Sequence, residues 1–171
     1  MCGIYGRVSK TPFKLRTALN KAKKLEYRGY DSYGFLYDGS NLHKRIGRIN
    51  TEESDIEINS FLFHCRWATH GKVSVDNTHP IRTSTKVAAY YLVHNGIIIN
   101  YEEIIENNRH ILMFGETDSR AIGVLLHKHF RKHEIYTSIK KIKSVLKGTY
   151  ACVFSSFYED YLIAIRKDNP L

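Results

Sequence analysis

A cysteine stands second in the chain, in Met1-Cys2-Gly3-Ile4. Methionine is removed readily ahead of small residues, so the processed chain is expected to carry a thiol and a free α-amine on one residue. An α-amine titrates at about 7.7–8.0 and a thiol at about 8.5. The amine can therefore take the thiol's proton near neutral pH, directly or through one water, and a single residue supplies both nucleophile and base. Taken alone, a second-position cysteine is more often incidental than catalytic. Gly3 and Gly6 flank a short strand directly after it and would let other backbone approach the chain end closely.

Three further groups of residues bear chemistry. Arg66, at a strand end in His64-Cys65-Arg66-Trp67-Ala68-Thr69-His70-Gly71, can grip a carboxylate through two parallel hydrogen bonds; a surface salt bridge beside a core tryptophan is the plain alternative. In His94-Asn95-Gly96-Ile97-Ile98 the Asn-Gly pair ordinarily marks a turn. A side-chain amide and a glycine N–H at a strand end can also form an oxyanion hole. Gly115-Glu116-Thr117-Asp118 precedes a helix, where Thr117 or Asp118 would serve as N-cap or Asp118 would hold a substrate ammonium. Tyr27-Arg28-Gly29-Tyr30-Asp31-Ser32 is a polar, aromatic connection between a helix and a strand. Each signal is weak singly; together they make a complete kit for acyl transfer.

The elements that must position these groups follow from periodicity. Gly3 to Val8 predicts a strand, and Phe13 to Leu25 a helix opening after Thr11-Pro12, with Leu15, Ala18, Leu19, Ala22 and Leu25 on one face. Tyr33 to Tyr37 and Leu42 to Arg45 predict a hairpin around Asp38-Gly39. Phe61 to Arg66 and Val87 to His94 read as strands, and Tyr101 to Asn107 as a short helix. Helices follow from Thr117 to about Phe130 and from Glu134 to Leu146, then strands from Tyr150 to Phe154 and Tyr161 to Arg166. Strands, adjacent helices and strands again give a layered α+β fold, not an alternating β-α-β one.

Composition bounds the reading. The 171 residues, 43% apolar, suit one domain with a real core. No apolar run is long enough to span a membrane, and no secretory leader is evident. Three cysteines without a leader argue for reduced thiols and a cytoplasmic location, with Cys65 and Cys152 as small buried hydrophobes. The net charge of +9 suits an acidic partner surface; spread over helices in Lys21-Ala22-Lys23-Lys24 and Lys140-Lys141-Ile142-Lys143, it reads as solvated faces, not a nucleic-acid site. His129 and His133 would share a helix face as zinc ligands sometimes do. With no acidic third ligand the segment reads as an exposed helix end, and no metal or cofactor is expected.

In order along the chain, Met1-Cys2-Gly3-Ile4, Leu25-Glu26-Tyr27-Arg28-Gly29-Tyr30-Asp31-Ser32, Arg66-Trp67-Ala68-Thr69-His70-Gly71, His79-Pro80, His94-Asn95-Gly96-Ile97-Ile98, Glu116-Thr117-Asp118 and Leu146-Lys147-Gly148-Thr149-Tyr150-Ala151 resemble the class II, N-terminal-nucleophile glutamine amidotransferases. Within them the chain is most similar to the glutaminase domain of the glutamine–fructose-6-phosphate aminotransferases. The resemblance implies a four-layer αββα sandwich over residues 1–171. It also implies hydrolysis of L-glutamine to glutamate and ammonia through a Cys2 thioester. Asn95 and Gly96 would form the oxyanion hole, Arg66 would hold the α-carboxylate and Asp118 the α-ammonium. Trp67, Thr69 and His70 would lie on a loop closing over glutamine, with Gly71 as its hinge. Arg28 would support the cysteine, and His79 matches the family histidine before proline.

Three departures stand out. Ile81 replaces the second histidine of His-Pro-His, Arg120 stands where the family carries an acid, and Arg-Lys-Gly-Ser-Pro-Leu becomes Arg166-Lys167-Asp168-Asn169-Pro170-Leu171. Family synthases continue into sugar-isomerase domains that are expected to be absent here, so the ammonia acceptor would belong to a synthase or isomerase partner chain or to missing C-terminal domains. The competing reading is a catalytically degenerate module that binds glutamine or a partner.

Overall fold

The computed structural model describes residues 2–51, 55–68, 71–84, 89–111, 113, 115–156 and 161–170. Two four-stranded antiparallel sheets form the centre. The first has the order β1 (Gly3–Lys14), β4 (Glu57–Arg66), β2 (Ser32–Tyr37), β3 (Asn41–Ile46); the second has the order β5 (Ile81–Ser84), β6 (Ala89–Ile98), β7 (Gly148–Ser156), β8 (Leu162–Lys167). Helix α1 (Leu15–Lys23) covers the outer face of the first sheet, and α2 (Tyr101–Glu106), α3 (Ser119–His129) and α4 (Ile135–Val145) cover the second.

Strand alternation sorts the apolar residues into three layers. On β4, Phe61, Phe63 and Cys65 turn outward and pack with Leu15, Ala18, Leu19 and Ala22 of α1. Between them Leu62 turns inward to meet Leu36, Tyr91, Val93 and Val153 in the space between the sheets. The third layer joins Tyr90, Leu92, Tyr150, Cys152 and Phe154 to the buried faces of α3 and α4, including Ile122, Leu126 and Ile142. Helix, sheet, sheet, helix is the αββα order. Cys65 and Cys152 are fully buried, as expected.

The hairpin turns at Asp38-Gly39, both in the left-handed region (φ 46° and 70°) that suits this pair. Asp38 Oδ1 also accepts from the Asn59 and Ser60 amides, which ties the turn to β4.

Several boundaries differ from expectation. Thr11-Pro12 does not open the first helix: β1 runs on to Lys14, with Phe13 and Lys14 paired to Ile58 and Glu57 after a register shift beyond Val8. Cross-strand pairing outweighs the local helix-start signal there, and proline costs nothing in the unpaired stretch because its missing N–H has no partner to serve. Strand β5 was not foreseen; its four residues are too few to show a period. Strand β6 runs through Asn95-Gly96 to Ile98, so the pair lies in a strand and is not a turn: Gly96 pairs with Tyr150. Its φ of 145° and a close approach, in which an added β-carbon would strike the Thr149 carbonyl, explain the glycine. His129 and His133 do not share a helix, because α3 ends at His129, Arg131 is extended, and His133 sits in a separate 3-10 turn.

The layer between the sheets sets the spacing of everything attached to the strand ends. Leu62→Ala should therefore cost about 2–5 kcal/mol, as buried leucine truncations do, measured by denaturant unfolding. A cost no larger than that of a surface substitution would mean that the sheets are held together by something else.

Candidate active site

The site lies at one end of the sandwich, where the first residues of β1 meet the last of β4 and β6. A cavity of about 230 Å³ there is lined by Cys2, Arg66, Trp67, Asn95, Gly96, Thr117 and Asp118, among others. These residues lie at or just beyond the ends of strands in the two sheets and at the turn into α3, so the fold brings together positions far apart in the chain.

Cys2 is held at both backbone ends. Its N–H donates to Asn95 Oδ1 at 3.2 Å, and its carbonyl accepts from Arg28 Nε at 3.1 Å. Only an oxygen can accept from that N–H, so the bond sets the Asn95 amide and leaves Nδ2 as its donor to any further acceptor. Burial pushes the Cys2 thiol up, and the nearby Arg66 charge opposes that. Cys65 is pushed to about 11 and Cys152 well above the ordinary thiol value, again by burial.

The Tyr27–Ser32 connection is more than a turn. Arg28 braces Cys2, while Asp31 Oδ2 accepts from the Ala68 amide at 2.8 Å and the Asp31 N–H donates to the Arg66 carbonyl at 3.2 Å. Gly29 lies beneath the Arg66–Trp67 peptide, where an added β-carbon would come within 2.5 Å of the Arg66 carbonyl carbon. Tyr30 meets Trp67 edge-on at 5.4 Å between ring centroids. Trp67 itself is 43% exposed at the mouth of the cavity, so it is not a core residue.

Arg66 is buried, and its guanidinium donates to the carbonyls of Lys72 (3.1 Å) and Gly71 (3.4 Å). Gly71 has φ 73°, a conformation glycine adopts without strain. Thr69 and His70 lie outside the described residues. Asp118 sits at the N-cap position of α3 but makes no capping bond; instead Oδ2 accepts from the Ile98 amide at 2.7 Å, and Oδ1 lies 3.9 Å from His94 Nδ1. The carboxylate is thus aimed at the cavity and the β6 end, not at its own helix.

Four contributors were not singled out from the sequence. Asn77 joins the two loops at the mouth, donating to the Lys72 carbonyl at 3.0 Å and accepting from the Glu116 amide at 2.7 Å. His94 lines the cavity and shares a 2.8 Å hydrogen bond with Ser119. His64 Nε2 donates to the His94 carbonyl at 2.9 Å, crossing from one sheet to the other. Asn169 lines the cavity from beyond β8. His64, His94 and Asn169 fall within stretches quoted above, but no spacing announces a role for any of the four, and each is found only through its partner in another element.

His79 is buried with its ring 4.4 Å from that of His64. Its carbonyl packs onto Gly34, where an added β-carbon would strike it. Burial keeps all three histidines neutral: His64 falls to about 3, His79 falls well below the ordinary value, and His94 falls despite the Asp118 charge that opposes the shift. Among the described residues no group of His, Cys, Asp and Glu could hold a metal ion, and no helix is long and apolar enough to cross a membrane.

The sequence profile of the class-II glutamine amidotransferases matches residues 38–153. The glutamine–fructose-6-phosphate aminotransferase (isomerizing) of Legionella pneumophila strain Lens is 35% identical, over 100% of this chain and 30% of its own length. That of Thermotoga maritima is 38% identical, over 100% of this chain and 29% of its own. The chain therefore spans under a third of the length of these curated relatives. Among solved structures, the glutamine phosphoribosylpyrophosphate amidotransferase from B. subtilis superposes with a TM-score of 0.70 at 22% identity, covering 96% of this chain and 36% of that one. A predicted glutamine amidotransferase from Pseudomonas aeruginosa superposes with a TM-score of 0.62 at 16% identity, covering 96% and 72%. At such identities these two speak for the fold.

The buried histidines carry a pH signature. Their folded-state affinity for protons lies below that of the unfolded chain, so stability is fully present above about pH 6.5 and is lost as the pH falls toward the folded value of His64, about 3. Each should contribute up to about 1.4 kcal/mol of loss per pH unit within that window. Urea unfolding from about pH 7 to about pH 4 should show the decline, and His64→Gln should flatten it. An unchanged slope in that variant would remove His64 from the account.

Proposed function

The chain belongs to the class II glutamine amidotransferases, enzymes that hydrolyse glutamine, and from that premise we propose that Cys2, freed of Met1, is the nucleophile that opens the glutamine side-chain amide. The observation that carries this reading is the bond from the Cys2 nitrogen to Asn95 Oδ1, which sets the nucleophilic residue against an amide with a donor to spare.

The steps follow from the geometry. Glutamine enters the cavity with its α-carboxylate toward Arg66 and its α-ammonium toward Asp118. The Cys2 thiol, raised by burial, is mostly protonated at neutral pH and needs a base when it attacks. The α-amine on the same residue takes that proton as sulfur bonds to the amide carbon. The carbonyl oxygen becomes an oxyanion, stabilised by Asn95 Nδ2 and the Gly96 N–H. Collapse breaks the carbon–nitrogen bond, with the proton returned to the leaving amine, and releases ammonia. Water then attacks the thioester, giving glutamate and the free thiol. Arg28 holds the cysteine carbonyl throughout, and His79 supports the cavity from its buried position. Thr69 and His70, with Trp67 and the Gly71 hinge, complete the loop that closes over glutamine.

The ammonia goes, in this reading, to an aminotransferase reaction of hexosamine-synthase type in a further domain or partner chain, and the protein works in the cytoplasm. Two observations support a docked acceptor: the chain spans 30% of the Legionella relative, and Trp67 and Ile97, 43% and 48% exposed, leave an apolar rim at the cavity mouth.

Two measurements test the proposal. Cys2→Ala should abolish glutamate release while glutamine still binds, and a glutamine-mimicking diazoketone should label Cys2 and spare the buried Cys65 and Cys152; labelling at Cys65 would refute the assignment. Arg66→Ala should weaken the grip on the carboxylate by about 1.5–3 kcal/mol, the range for hydrogen bonds to charged groups, read as a raised KM at similar kcat. A lowered kcat at unchanged KM would give Arg66 a different role.

A further inference from the structure

The chain beyond β8 does not simply leave the sheet. Asp168 takes a left-handed conformation (φ 55°) and bridges Tyr150 in parallel. This turns the chain across the end of the second sheet and sets Asn169 against β6. Asn169 Nδ2 donates to the Asn95 carbonyl at 2.9 Å. Asn169 lines the cavity that holds Cys2, and the next residue, Pro170, lines a neighbouring cavity together with Cys2, Arg28 and Asn95. The segment is therefore a wedge between two spaces that share the nucleophile.

The acceptor in this bond is the informative part. The Asn95 carbonyl and the Gly96 N–H belong to one peptide unit, which is planar and trans, so the two point in opposite directions. Whatever fixes the carbonyl fixes the direction of the N–H. Gly96 has no side chain to restrain its own peptide, and its φ of 145° lies in a region open mainly to glycine. A donor on the carbonyl also polarises the amide and strengthens the N–H as a donor. The geometry points to Asn169 as a positioning residue for oxyanion stabilisation: it clamps the Asn95–Gly96 peptide so that the Gly96 N–H meets the developing charge. This rests on the glutaminase reading above and adds to it a residue at a position where the chain departs from the family pattern.

Asn169→Asp tests the clamp, because it keeps size and shape while replacing the donor with an acceptor. Wild type, N169D, N169A and C2A would be compared for glutamate release, for alkylation of Cys2 by iodoacetamide, and for thermal midpoint. Iodoacetamide reacts by displacement at an sp³ carbon and forms no oxyanion, so its rate reports the thiol and its access alone. The expected result is a kcat lowered about tenfold or more in N169D and N169A. The glutamine KM and the iodoacetamide rate should stay within about twofold of wild type, at an unchanged thermal midpoint. An active wild type with N169D within about twofold of it in kcat overturns the inference alone. So does a loss of kcat matched by a fall in iodoacetamide rate or thermal midpoint, since that is a structural effect. A wild type no more active than C2A overturns the glutaminase reading and the inference with it.

Discussion

The chemistry proposed for the site turns on one hydrogen bond across the sandwich, from the Cys2 nitrogen, just ahead of β1 of the first sheet, to Asn95 Oδ1 on β6 of the second. The proposed nucleophile adjoins one sheet and the proposed oxyanion donor lies on the other, so their separation is fixed by the packing between the sheets and not by any local turn. Leu36, Leu62, Tyr91, Val93 and Val153 fill that space. The His64-to-His94 carbonyl bond spans the same gap beside the cavity, where a buried polar contact specifies register more sharply than apolar packing does. A site mounted on strand ends in this way inherits the rigidity of the core.

The other half of the cavity is built differently. Trp67, Ala68, Gly71 and Lys72 belong to a loop whose backbone is held by side chains from three directions: Asp31 on Ala68, Arg66 on Gly71 and Lys72, and Asn77 on Lys72. Arg66 is the pivot. A buried guanidinium must have acceptors, and here two loop carbonyls supply them. A carboxylate is the stronger and better-shaped acceptor for the same donors. A substrate carboxylate at Arg66 would thus compete with the loop for its anchor, and loop position and substrate binding would be linked through a single side chain.

Much of this was legible from residue types alone. Alternation in Phe61–Arg66 gave β4 and its faces, the 3.6-residue period gave α1's buried stripe, and Asp38-Gly39 gave the hairpin turn. The motif blocks named Cys2, Arg66, Asn95, Gly96 and Asp118, and the fold brings them to one cavity. What escaped did so for physical reasons. Asn95-Gly96 has turn chemistry locally, and only pairing with β7 makes it strand. Thr11-Pro12 looks like a helix start until β4 claims the segment. Asn77, His64, His94 and Asn169 act through long-range contacts, which no window of sequence displays. The one departure from the family pattern with a local explanation is Asp168: its φ of 55° is a conformation for which glycine is the natural choice and which aspartate tolerates better than most residues, so the turn survives the loss of the family's glycine.

Burial finally explains why the nucleophile and its base would be one residue. A dry cavity strengthens the hydrogen bonds that stabilise an oxyanion, yet the same desolvation raises the Cys2 thiol and so disfavours the thiolate that would attack. A separate base would have to be buried beside it, and the three histidines that are buried here show the outcome: each is driven well toward its neutral form, and their hydrogen bonds run to Ser119 and to the His94 carbonyl, not to sulfur. An α-amine two bonds from the cysteine β-carbon avoids the problem. It moves with the thiol, it needs no strand or helix of its own to place it, and its nitrogen is already fixed by Asn95. The bond that would set the geometry of attack is therefore also the bond that would set the base.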